Sequence, residues 1–296
     1  MKKIKDRLLK KFLLSMIFNL SIVLIEITGG LISGSLVLLS DALHNTTDVI
    51  SLMFSYVARK ISTKKATDEF TYGFKRAEIV AALVNSIFMM ILSAFLLYEG
   101  IHRFFDPRSI EINVMLPVAI VGLIGNLMTL LILHRESRSN LNLKSALIHI
   151  ISDTLSSVLV IITALVIRFY EIQWLDAVFT MMIVGYLSTL AFKIFIRSSR
   201  ILMQAVPKGW SVKDIVKNLK KIPGVVDVHH IHLWTLEGEK VYSEFHVVFE
   251  GRKDDDILED ILKETKKMGI DHATVQLESS RFHENFDESC EHRIEH

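Results

Sequence analysis

Apolar residues gather into six long blocks, at roughly 12–31, 36–58, 77–98, 114–133, 145–167 and 174–196. Each is close to the ~20 residues with which a helix crosses a hydrocarbon core of ~30 Å, so the pattern predicts six spans. The first block is too long for a cleaved leader and no small-residue cleavage site follows it, which makes it a retained span. Gly29-Gly30 and Gly34-Ser35 predict the first turn between spans. After Gln204-Ala205-Val206-Pro207 the pattern changes. Lys213–Lys221 reads as a short helix stopped by Pro223-Gly224. Val225–Leu236 and Lys240–Phe249 alternate and are β-branched, a hairpin joined at Glu237-Gly238-Glu239. Asp254–Met268 has acids in its first turn, lysines in its last and Gly269 after it, the marks of a capped helix. Ala273–Leu277 is a last short strand. The expected fold is a membrane all-α six-helix bundle over 1–206, followed by a cytoplasmic α+β domain over 207–280. The order αββαβ suggests a ferredoxin-like layer. Residues 281–296 form an acidic tail containing His283, Cys290, His292 and His296.

Charge orients these elements. The 296 residues carry a net +1, but residues 1–206 hold 21 Lys/Arg against 14 Asp/Glu, and residues 207–296 hold 13 against 19. Two environments are expected within one chain. Eighteen of the 21 basic residues of the first part fall before span one, between spans two and three, between four and five, or at the end of six. Only Arg103, Arg108 and Arg168 fall on the opposite side, so the positive-inside rule puts both termini in the cytoplasm. One cysteine excludes a disulfide framework and any four-cysteine metal site. The basic residues flank apolar runs instead of forming a stripe with aromatics, so no nucleic-acid partner is expected.

Ionisable residues within spans are rare, because a charge near the bilayer centre costs about 3 kcal/mol or more. Here the second span contains His44-x-x-x-Asp48 and the fifth His149-x-x-x-Asp153. At i and i+4 the two side chains share a helix face. Two such faces offer two imidazoles and two carboxylates, a set that suits tetrahedral Zn²⁺. The alternative is a pair of buried ion pairs that only set helix packing. Convergence requires His44 level with Asp153, yet the apolar boundaries leave an offset of about 9 Å at ~1.5 Å per residue. An early start of the fifth helix, around Ser139–Leu143, would remove it. Glu26, Asn85 and Asn126 are candidates for supporting or packing roles. Asp41 falls near the outer end, where it would guide cations, and Glu78 reads as an interfacial ion-pair member.

The last ninety residues hold eight histidines. His230 and His232 alternate on one strand and are expected to share a face, with His229 on the other. His246 lies on the neighbouring strand, His272 at the start of the last strand and Glu278 at its end. His229 or His232 beside His246 and Glu278 would make a zinc site of three or four ligands. The other reading is a histidine-rich polar surface.

The set Ser40-Asp41-Ala42-x-His44-x-x-x-Asp48, Tyr72-Gly73-x-x-Arg76-x-Glu78, Glu99-Gly100-Ile101 leading to Pro107, His149-x-x-x-Asp153, Val206-Pro207 and His229-x-x-His232-x-Trp234 resembles the cation diffusion facilitator family of metal-ion/proton antiporters. The resemblance implies a homodimer in the plasma membrane with one transport site per protomer, made by His44, Asp48, His149 and Asp153. The two-His, two-Asp form is the zinc-preferring one, in keeping with the preference of imidazole for zinc. It also implies a cytoplasmic domain that binds zinc at the dimer contact, with His229, His246, His272 and Glu278 at matching positions. Phe70 and Phe74 stand where some members carry histidines, so no tight site is expected in that loop, although Asp68 and Glu69 remain. The expected activity is proton-coupled efflux of Zn²⁺. A transporter mainly for Cd²⁺, Co²⁺ or Fe²⁺, or a non-transporting membrane metal sensor, are the alternatives. Neither a His-Glu-x-x-His nor a nucleophile motif is present, and no enzymatic activity is expected.

Overall fold

The structure, a computed structural model, describes residues 20–136 and 141–279, with the side chains of 129–150 and 152 outside the description. It forms two compact units, Met1–Val57 with Val84–Phe195, and Ala58–Leu83 with Ile196–His296. Helices α1 (Leu20–Ser33), α2 (Leu36–Ser62), α3 (Ala77–Phe105), α4 (Ile112–Glu136), α5 (Leu141–Tyr170) and α6 (Trp174–Leu202) come first. By length and composition α3, Asp153–Tyr170 of α5, and α6 are apolar enough to cross a membrane. Leu20–Ser33 and Ile112–Met128 are shorter apolar helices. Helix α2 has the length, but Asp41, His44, Asn45 and Asp48 dilute its hydropathy. Large apolar side chains such as Ile91, Phe95, Tyr98 and Phe192 are exposed, the surface expected where lipid replaces water.

Gly29 and Gly30 are not a turn: α1 continues through them to Ser33, because bare backbone is needed for close packing. A Cβ on Gly30 would stand 3.1 Å from the backbone of Leu39 in α2. The turn is made by Gly34 and Ser35, with Gly34 at φ +70°, a conformation that costs glycine little. Helix α2 is then capped from α6. Asp176, itself buried, accepts Ser35 Oγ at 2.6 Å and the Leu36 N–H at 2.7 Å, placing a carboxylate where the helix dipole is positive. Around this cap, Val37 and Leu38 pack with Met115 and Ala119 of α4 and Val160 and Ala164 of α5. The fifth helix reaches back to Leu141 among the described residues, ahead of Ser145 as expected.

The second unit contains α7 (Val212–Leu219), β1 (Val225–Thr235), β2 (Val241–Phe249), α8 (Asp254–Met268) and β3 (His272–Ser279), the expected αββαβ order. Ser211 caps α7 through the Asp214 N–H, and Gly269 ends α8 at φ 92°. The described strands form one sheet in the order β1-β2-β3, with β1/β2 antiparallel and β2/β3 parallel. The parallel pair needs the α8 crossover, since parallel neighbours cannot be joined by a tight turn and the helix returns the chain to the same end of the sheet. Ile215 and Leu219 of α7 and Ile257 and Ile261 of α8 bury Val228, Ile231, Leu233, Phe245 and Val247 on one face of the sheet. The other face carries the polar side chains. On it, the loop between α2 and α3 meets the hairpin: Lys75 Nζ lies 2.9 Å from Glu237 Oε1, and the Tyr72 ring is edge-on to Tyr242.

Candidate metal centres

Helix α2 carries His44 and Asp48 one turn apart, and α5 brings Asp153 to them. His44 Nε2 is 3.6 Å from Asp48 Oδ2 and 3.6 Å from Asp153 Oδ1. One ligand atom from each of the three lies within 4.8 Å of the others. Tetrahedral zinc with bonds of ~2.0 Å separates its ligand atoms by about 3.3 Å, so this spacing suits a shared cation. The side chains of His44, Asp48 and Asp153 are 11%, 25% and 12% exposed, so the group is largely withdrawn from solvent. His149 stands on α5 one turn before Asp153, and its side chain lies outside the described residues.

Neighbouring polar groups fix this face. Ser156 and Ser157 of α5 both donate to the carboxylate of Asp41, the latter at 3.1 Å. Asp41 is therefore a buried α2–α5 clasp rather than an outer-vestibule guide, since it lies one turn before His44 on the inward face. Asn126 of α4 donates to Ser157 at 2.9 Å and to the Asp153 carbonyl at 3.5 Å. Glu26 of α1, 1% exposed, accepts from Asn45 at 3.0 Å. Asn85 accepts from Ser51, and Glu78 pairs with Arg59 at 3.1 Å.

On the polar face of the sheet, Glu278 receives two histidines. Its Oε1 is 2.7 Å from His246 Nδ1, and its Oε2 is 3.5 Å from His229 Nε2. The three offer ligand atoms within 4.8 Å of one another. Asp227 stands 3.5 Å behind His229 Nδ1, a carboxylate that orients the imidazole. Burial raises the Asp227 pKa, but the Lys220 ammonium at 2.7 Å outweighs it and holds the carboxyl below its usual range. Strand β1 does not keep simple alternation. A register shift lies between His229 and His232, with His230 at φ 53°. The extra residue of this bulge brings His229 to the same face as His230 and His232, not the opposite one.

His232 therefore belongs to another group, with His230 and Glu244, and is not joined to Glu278. His272 is opposite Tyr242, while His246 is opposite Gln276. Four residues of strand, about 13 Å, separate His272 from the His229–His246–Glu278 group within the chain. The parallel register set by α8 causes this. Glu244 is not among the residues expected at a metal site; its position two before His246, on the same strand face, is the sequence signal that marks it. His283, Cys290 and His292 lie outside the described residues.

Residues 12–203 match the family model of the cation efflux transmembrane domain, and residues 207–280 that of the cation efflux protein cytoplasmic domain. The chain is 32% identical over 292 residues to the cadmium, cobalt and zinc/H(+)-K(+) antiporter of Bacillus subtilis, covering 97% of this chain and 94% of that one. It is 33% identical over 264 residues to the zinc transporter ZitB of Escherichia coli, covering 88% and 84%. It is likewise 33% identical over 258 residues to the metal cation efflux system protein CzcD of Cupriavidus metallidurans, covering 86% and 81%. With transmembrane and cytoplasmic models matched in order along nearly its whole length, the chain belongs to the cation diffusion facilitator family.

Proposed function

We propose that this protein exports divalent metal ions, Zn²⁺ foremost, from the cytoplasm in exchange for protons. The observation that carries the reading is the convergence of His44, Asp48 and Asp153 from two helices. His149, one turn before Asp153, completes a two-His, two-Asp set. Six spans over 1–206 enclose this site in the plasma membrane, with both termini cytoplasmic. Residues 207–280 form the cytoplasmic, ferredoxin-like domain through which two copies associate, and 281–296 are an acidic tail.

The chemistry follows from the ligands. Imidazole binds metal only when neutral, so zinc arriving from the cytoplasm displaces protons from His44 and His149. Rocking of the helices re-exposes the same ligands outward, where protons compete with the ion for the imidazole nitrogens and the ion leaves. Asp41, Ser156, Ser157 and Asn126 keep the α2 and α5 faces opposed, so the ligands stay fixed while the helices move. His229, His246 and Glu278 bind regulatory zinc on the cytoplasmic domain. The B. subtilis relative is named for cadmium and cobalt as well as zinc, which favours a substrate range that includes those ions.

Zinc uptake into inside-out vesicles tests the proposal. Wild type is expected to load zinc and to stop when the proton gradient is collapsed, and Asp153→Ala to lose transport by at least tenfold. Unchanged transport in Asp153→Ala sinks the site. Gradient-independent transport sinks the proton coupling. Competition by Cd²⁺ and Co²⁺ at matched gradients sets the range. If a folded, inserted His44→Ala protein still confers zinc tolerance, the export reading fails and a metal sensor replaces it.

A further inference from the structure

Beside His229, His246 and Glu278, the same sheet face carries a second ligand set. His230 Nε2 and His232 Nε2 are 3.2 Å apart, their rings nearly perpendicular with centroids 4.8 Å apart. Glu244 is directly opposite His232 across the β1/β2 ladder, and one ligand atom from each of the three lies within 4.8 Å of the others. Two ring nitrogens in plain alternation on a flat strand would each point outward from separate pleats. Here the bulge turns His230 to φ 53° and brings its nitrogen to that of His232. Their separation is close to the about 3.3 Å between two ligands of one tetrahedral zinc ion. A non-glycine residue held left-handed within a strand is uncommon, and such strain concentrates where a side chain must be aimed.

We infer that His230, His232 and Glu244 form a second cytoplasmic metal site, separate from the one at Glu278 and taking a borderline divalent cation such as Zn²⁺, Co²⁺ or Cd²⁺. Two imidazoles with one carboxylate select this class over Mg²⁺ and Ca²⁺, which prefer all-oxygen sets. Three protein ligands leave a fourth position to water, and His232 and Glu244 are exposed, so the ion exchanges readily with the cytoplasm. The two sites abut, since the rings of His230 and His246 are 4.8 Å apart. Ions at both would repel across a short distance, so the enclosed site at Glu278 fills first and the outer one reads higher metal levels. The outer site holds its ion whether or not the membrane helices export metal.

The experiment is equilibrium dialysis of the purified full-length protein against Co²⁺, with bound metal per chain and the visible d–d absorption as readouts. His232→Gln with Glu244→Gln is expected to lose one Co²⁺ per chain together with its share of the absorption. Glu278→Gln is expected to lose a different Co²⁺, and the triple variant both. His232→Gln alone changes one exposed side chain and is expected to weaken the outer ion at least tenfold, which guards against misfolding of the double variant. An unchanged Co²⁺ count and affinity in the His232→Gln, Glu244→Gln protein overturns the inference. So does a triple variant that loses no more metal than Glu278→Gln, because the ligands would then serve one site. Asp153→Ala run in parallel reads the transport site separately, so failure there leaves the result for the sheet intact.

Discussion

At the residue scale the proposed transport site depends on groups that never touch the ion. Asp41 accepts from two hydroxyls of α5, and hydrogen bonds to a charged group contribute about 1.5–3 kcal/mol each. Asp41→Ala leaves Ser156 and Ser157 without this acceptor and loosens the α5 turn that bears Asp153. The expected outcome is a zinc transport rate down by about tenfold, with the KM for zinc changed far less, because the ligands remain. Zinc flux against zinc concentration in proteoliposomes checks it, and a shift confined to KM would make Asp41 part of the binding set instead. The His–Asp spacing on α2 and α5 is legible in the sequence because i and i+4 geometry is local. Asp41's role is not, because its partners are 115 and 116 residues away.

At the element scale the contrast between α8 and β1 shows where local reading ends. The bounds of α8, its acidic first turn and its Gly269 cap follow from residues within one turn of each end. The bulge in β1 does not, because it exists only in register against β2, where His229 meets His246 and the next described pair is His232 with Glu244. The placement of His272 away from Glu278 likewise comes from the parallel register that α8 imposes. The bulge has an energetic consequence. A left-handed conformation costs a side-chain-bearing residue about 1–2 kcal/mol, which glycine avoids. His230→Gly should therefore raise the metal-free stability of the cytoplasmic unit, by about 1 kcal/mol after lost ring contacts. The same variant should abolish the stabilisation that Zn²⁺ adds through the outer site. Melting with and without chelator measures both, and a metal-free midpoint lower than wild type would show that the bulge is not strained.

At the scale of the whole molecule, the chain path joins the proposed transport site to the proposed metal sites of the sheet. Helix α2 bears His44 and Asp48, and its last residues from Ala58 onward belong with the cytoplasmic unit, as does the loop that follows. That loop is tied to the β1–β2 hairpin by Lys75 and Glu237. A change of state at the sheet therefore has a covalent and electrostatic route to α2. The ion pair with Glu237 raises the Lys75 pKa above its ordinary value. A raised pKa on a base means that its stabilisation is complete below about pH 10.4 and is lost only as pH rises through the folded value. The tie is thus constant across the neutral pH range, so the proton coupling proposed for transport does not arise from it. Salt does weaken it, because a half-buried pair at the surface is still screened and contributes about 1 kcal/mol. Charge reversal at either position, Lys75→Glu or Glu237→Lys, should lower zinc-stimulated flux by up to about fivefold, the effect of 1 kcal/mol on an equilibrium. The double swap should restore it. Flux in vesicles at low and high ionic strength decides the matter: equal loss in the singles and the double would mean that the loop acts on α2 through packing around Tyr72 and Tyr242 and not through charge.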